Sequence, residues 1–239
     1  MTMHSPYDMV TKSYVAVRPQ YPDQWFSKLS ALTSCHALAW DAGTGNGQAA
    51  VAEHYERVIA TDISEPMLKQ GIPRPRVQYL HTPSSLSEDE VVAMLRGENS
   101  VDLITVATAI HWFDIPKLYS IAKWSSASPE GRLREFYRLY SKPGVQYAFE
   151  EYRNLPFAFE SVGLGCEGQP VELEMPREMS CETFLRVQST SSAVATAKQN
   201  GVYLLTDDVV KEFKTAWGGS ELVRTVKFKV FMLAGSVKA

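Results

Sequence analysis

Two apolar runs in this chain end in an acid, and glycines follow the first. Leu38-Ala-Trp-Asp-Ala-Gly-Thr-Gly-Asn-Gly47 carries Asp41 and then Gly43, Gly45 and Gly47 at alternate positions. The apolar run reads as a buried parallel strand. The glycines read as a tight turn that lets backbone approach a nucleotide-like ligand. A turn built to hold a pyrophosphate gains nothing from a carboxylate at its mouth, whereas a turn facing a cationic, amine-bearing ligand does. The dinucleotide fingerprint is G-x-G-x-x-G. Here the third glycine comes one residue early, which counts against a dinucleotide-dependent oxidoreductase.

The second run, Arg57-Val-Ile-Ala-Thr-Asp-Ile63, ends in Asp62. It lies about 20 residues beyond the glycines, where a doubly wound fold places the carboxylate that holds ribose hydroxyls. A simple helix-entry acid is the other reading of Asp62. Ser64 occupies a helix N-cap position and Gly71 a C′ position. A third run, Val101 to Ala107, leads into Thr108-Ala-Ile-His-Trp-Phe-Asp114.

Asp41 with its Gly-x-Gly-x-Gly turn resembles motif I of the class I S-adenosylmethionine (SAM)-dependent methyltransferases. The His111-Trp-Phe segment and the opening Tyr14-Val-Ala-Val-Arg-Pro-Gln-Tyr-Pro22 resemble the trans-aconitate methyltransferase-like small-molecule subgroup and its plant relatives. Leu155-Pro-Phe and Ala216-Trp-Gly218 are similar to the same relatives, so the resemblance runs over nearly the whole chain. It implies a SAM-dependent methyl transfer to a small-molecule acceptor. Gly43 and Gly45 then approach the methionine part of SAM, Asp41 acts on its ammonium and Asp62 holds the ribose. Ile63 and Met67 neighbour the adenine, and Tyr14, Thr44, Gln48 and Ala107 complete the cofactor set. Relatives often place an acid or polar residue after the third strand; here that place reads His81-Thr-Pro-Ser84, with no acid.

For the acceptor, His111 is the candidate acid/base, because its pKa lies near working pH. A histidine simply packed beside Trp112 is the competing reading. A carboxylate acceptor is already ionised at pH 7 and needs a cation rather than a base. Arg18 is the first choice for that cation and Arg153 the second. Arg18 has a second reading as an anchor of the N-terminal arm.

Composition fits one enzyme domain. A chain of 239 residues suffices for a full α/β core. The net charge of −3 and scattered lysines and arginines give no field for nucleic acid. No apolar run approaches the roughly 20 residues that span a bilayer, and the polar start lacks a signal-peptide core. Cys35, Cys166 and Cys181 show no metal or disulfide spacing, which suits a reducing, cytoplasmic setting. No metal site is expected, and oligomeric state is left open.

The elements that must position these residues alternate. Helix is expected over 23–32, 47–55, 65–70, 87–95 and 115–124, with strands near 38–40, 58–61, 74–80 and 101–106. This alternation implies an α/β fold with a mostly parallel, doubly wound, Rossmann-like sheet and a small helical lid. The whole chain reads as one domain. Residues 1–33 are an arm and helix, 34–124 the cofactor-binding core, 125–200 the lid and substrate region, and 201–239 a helix and a long last strand. After Trp124 the expected fifth strand is missing; a loop and a basic segment, Arg132 to Tyr140, stand there instead. The sheet then closes either by pairing the fourth strand with the last or through the Val145 segment. A non-catalytic or impaired relative of the family is the alternative that this gap raises.

Overall fold

The computed structural model describes residues 17–18, 20–43, 51–125, 147–148, 150–219 and 221–237. Strands β1 (Leu38–Ala42), β2 (Arg57–Asp62), β3 (Val77–His81) and β4 (Leu103–Thr105) form a parallel sheet in the order β3-β2-β1-β4. All five residues of β1 are buried, as a central parallel strand covered on both faces must be. Alternation along the strand divides its side chains. Leu38, Trp40 and Ala42 join Ile59, Val91, Leu95, Leu118 and Ile121 on one face. Ala39 joins Phe26, Val51, Ala52, Tyr55 and Val58 on the other. Helix α1 (Asp23–Ser30) covers this second face through Phe26. Helices α3 (Glu88–Met94) and α4 (Ile115–Ser125), named with the short α2 (Glu65–Leu68) before them, cover the first. The result is the layered, Rossmann-like α/β fold expected from the alternation.

Local chemistry fixes the ends of these elements. Ser64 caps α2 by accepting from the Met67 amide. Ser87 and Glu90 form a reciprocal capping box on α3. Asp114 accepts from the Lys117 amide at 3.2 Å, as its place before α4 suggests. Asp102 accepts from the Ala37 and Leu38 amides at 2.8 and 2.9 Å and so clasps the start of β1 to β4. Gly71 is not the left-handed C′ residue expected of it. Its reason is steric, since a Cβ there would stand 2.6 Å from the Tyr79 ring. The helix stops at Ser30, two residues short of the expected 23–32 span, and Leu32 beyond it is 46% exposed.

The C-terminal half departs most from expectation. The long last strand, β7 (Val223–Met232), does not join the parallel sheet. It pairs antiparallel with β6 (Val171–Ser180), from Val171↔Met232 to Ser180↔Val223. β6 lies within the region expected to be a lid. The shorter β5 (Glu160–Ser161) pairs with β8 (Gly235–Ser236). Between β6 and β7 come α5 (Cys181–Ser189), α6 (Ser192–Gln199) and α7 (Asp207–Trp217). Among the described residues, no strand lies on the far side of β4. β4 therefore does not pair with the last strand. Residues 147–148 are helical rather than extended. Residues 47–50 of the expected 47–55 helix, the Arg132–Tyr140 segment and Val145 lie outside the described residues; Val51 is helical and 52–54 form turns. No helix among the described residues is long and apolar enough to cross a membrane.

Candidate cofactor and acceptor site

The chain runs outward from β1 to β2 to β3, then returns to the other side of β1 for β4. The carboxyl ends of β1 and β4 thus form the switch point where open α/β sheets hold ligands. Asp41 sits at that point, 1% exposed. It is in register with Thr105 of β4, whose hydroxyl donates to Oδ1 at 2.7 Å. Oδ2 is buried and has no hydrogen-bond partner among the described residues. Burial pushes the Asp41 carboxyl up to about 6; the Thr105 bond opposes the shift and the nearby Asp62 charge adds to it. A buried carboxylate with a spare oxygen is what a cationic ammonium group requires.

The register also explains why Asp62 feels Asp41. Asp41 pairs with Ala60, and Asp62 lies two residues further on the same face of the sheet. Asp62 Oδ1 accepts from the Ser64 amide at 2.7 Å, which orients the carboxylate at the start of the following helix. Ile63 is 49% exposed beside it, and Met67 is buried in α2.

Gly43 lies directly after β1, where its amide donates to the Thr61 carbonyl at 2.9 Å. Its φ of +72° favours glycine, and a Cβ would meet Ala109 Cβ at 2.5 Å and the Phe113 ring at 3.1 Å. The loop after β4 therefore presses against the turn after β1. That loop carries Ala107, partly buried, and Thr108, whose φ is +53°. A β-branched residue there is strained, as often found near ligand sites. Nothing in the sequence marks Thr108; only the crowding around Gly43 accounts for so sharp a turn.

His111 and Trp112 follow on a single 3-10 turn, Ile110–Trp112. Burial holds the His111 imidazole below its ordinary value, favouring the neutral ring. Its Nδ1 is buried without a hydrogen-bond partner among the described residues, and its ring lies 5.4 Å from that of Trp112. Trp112 itself is 45% exposed. The ring is thus packed beside Trp112 while one of its nitrogens stays without a partner among the described residues.

The two arginines expected to meet an acceptor differ in their surroundings. Arg18 donates from Nε and Nη2 to the hydroxyl and carbonyl of Thr190, each at 3.2 Å, tying the arm to the end of α5. Arg153 is exposed and paired with Glu151 at 3.1 Å. Tyr14, Thr44, Gly45 and Gln48 lie outside the described residues. The structure thus brings together Asp41, Gly43, Asp62, Ile63, Met67 and Ala107 at the ends of β1, β2 and β4. His111 follows within the same post-β4 loop.

Comparison with known proteins agrees. Residues 40–149 match the family model of a methyltransferase domain. A Dictyostelium discoideum protein that bears a provisional methyltransferase name is 27% identical over 258 aligned positions, covering 95% of this chain and 93% of its own. A methyltransferase of Pestalotiopsis fici is 29% identical over 147 positions, covering 55% of this chain and 42% of its own. A solved structure from Anaeromyxobacter dehalogenans, provisionally named a type II methyltransferase, is 26% identical. It superposes with a TM-score of 0.68 over 92% of this chain and 98% of its own. Residues 40–149 are thus similar to a methyltransferase domain, and the fold is shared with the Anaeromyxobacter protein.

Proposed function

We propose that the chain is a SAM-dependent methyltransferase that acts on a small-molecule acceptor, and that the acceptor offers a carboxylate. The observation that carries the cofactor half is the buried Asp41 carboxylate, bonded through one oxygen to Thr105 and carrying a spare oxygen under the Gly43 turn. When bound, SAM supplies a methyl group on a sulfonium, open to in-line attack by an acceptor atom. Asp41 holds the ammonium of its methionine part, and Asp62 holds the ribose hydroxyls. Gly43, with Thr44, Gly45 and Gln48 after it, brings backbone against the methionine part. Ile63, Met67 and Ala107 supply apolar walls, and Tyr14 joins the cofactor set by resemblance alone. The protein's work is alignment and exclusion of water.

At the acceptor, His111 stands neutral and receives a proton where the nucleophile carries one. A carboxylate acceptor brings no such proton. For it His111 is a positioning group, and Arg18 supplies the cation from its place at Thr190. A second reading, cofactor binding without turnover, is favoured by one observation: β4 has no outer neighbour among the described residues.

Calorimetric titration with S-adenosylhomocysteine (SAH), followed by a screen of small carboxylic acids, amines and phenols for SAH release from SAM, tests both. Binding with release on a carboxylic acid supports the first reading. Binding without release on any acceptor supports the second. Release only on amines or phenols would remove the carboxylate.

A further inference from the structure

The ladder between β2 and β3 ends at Asp62↔His81, with the Thr82 amide donating to the Asp62 carbonyl at 2.9 Å. Ile63, the next residue, is past the last backbone bond, yet its carbonyl lies 2.9 Å from His81 Nε2. A side chain thus extends the sheet by one rung at the point where the chain leaves it. The turn that begins there is the one carrying the ribose acid. From the other side it is held by the Ser64 amide on Asp62 Oδ1, 2.7 Å, and by the Ser64 hydroxyl accepting from Met67. With a carbonyl as the acceptor, His81 must carry its proton on Nε2.

We propose that His81 is a positioning residue for the nucleoside half of the cofactor. It pins the Ile63 carbonyl and thereby fixes the Asp62–Ile63 turn in its binding shape before the ligand arrives. The inference rests on the cofactor reading above. It assigns His81 no contact with the acceptor and no part in methyl transfer.

The geometry singles out which replacement can serve. The Gln side chain carries its amide nitrogen at about the reach of Nε2, whereas Asn places its amide near Nδ1 and falls short. SAH titrations of the full chain and of His81→Ala, His81→Asn and His81→Gln, each with its thermal midpoint, test this. Because His81 is exposed, the midpoints should agree. The Ala and Asn variants should bind SAH roughly three- to tenfold more weakly, the range that one lost hydrogen bond covers. The Gln variant should recover most of that loss. In turnover, KM for SAM should rise while kcat holds. Equal binding by all four proteins would overturn the inference and leave the cofactor reading standing. Equal weakening of all three variants would also overturn it, because ring bulk rather than the Nε2 bond would then be responsible. Wild-type protein that takes no SAH would overturn both.

Discussion

Asp41 and Thr105 face each other in register across β1 and β4, and the threonine hydroxyl occupies one oxygen of an otherwise solitary buried carboxylate. One hydrogen bond does not offset full desolvation, which is why burial dominates the upward shift of this acid to about 6. The shift ties stability and ligand binding to the same proton.

Between the ordinary carboxylate value of 3.8 and about 6, the folded chain holds a proton at Asp41 that the unfolded chain has released. The stabilisation is present in full below that window and is lost as pH rises through 6, by about 3 kcal/mol for a two-unit shift. Asp41→Asn should therefore raise the thermal midpoint at pH 7.5 by several degrees and abolish measurable SAH binding. Wild-type affinity should climb as pH rises from 5 to 7 and then level off. Calorimetry over that range reads both effects.

Gly43→Ala meets two penalties, a left-handed backbone and a Cβ placed 2.5 Å from Ala109 Cβ. The variant should lose about 2 kcal/mol or more of stability and bind SAH poorly. Adding Ala109→Gly removes the collision but leaves the dihedral cost. Denaturant titrations of the double variant should therefore show partial recovery.

Thr108 holds a φ of +53°, a region where a β-branched residue costs on the order of 1 kcal/mol and asparagine is tolerated. Thr108→Asn should raise the unfolding free energy by a few tenths of a kcal/mol to about 1 kcal/mol, read by denaturant titration. Lower turnover in the stabilised variant would show that the strained turn serves the site.

His111 is held below its ordinary 6.5 by burial. Below that value the unfolded chain binds a proton that the folded chain resists, so this group withdraws stability as pH falls. His111→Asn should remove that acid-side loss. For an acceptor whose nucleophile carries a proton, kcat should also drop by roughly 10²-fold or more at unchanged SAH affinity. For a carboxylate acceptor kcat should change far less. A pH–rate profile beside a SAH titration distinguishes the two.

The strands that carry the expected cofactor residues were readable because their signals are local. Asp41, Gly43 and Asp62 sit at fixed distances along the chain, and burial on both faces leaves β1 and β2 as apolar runs. β6 was missed for a physical reason. Val171-Glu-Leu-Glu-Met alternates as a strand should, but Pro176 then argues for a break. Pro176 is tolerated because, among the described residues, β6 pairs on one side only, with β7. The placement of β7 follows from the same fact, since its partner had not been seen. His81 and Thr108 were out of reach because their significance lies in a carbonyl and a dihedral that only the packed sheet defines.

Arg18 reaches across the chain to Thr190, and Arg177 to the Gln20 carbonyl. The segment leading into α1 is thus fastened to the middle of the chain's second half. Tyr21, the next residue, leans on Trp25 and Phe26. A growing polypeptide cannot make these fastenings until Thr190 has been synthesised. The parallel sheet, whose strands all lie before residue 106, can thus assemble while the segment before α1 is still unsecured. On the ribosome the stretch that holds Arg18 and Gln20 would be among the last to settle.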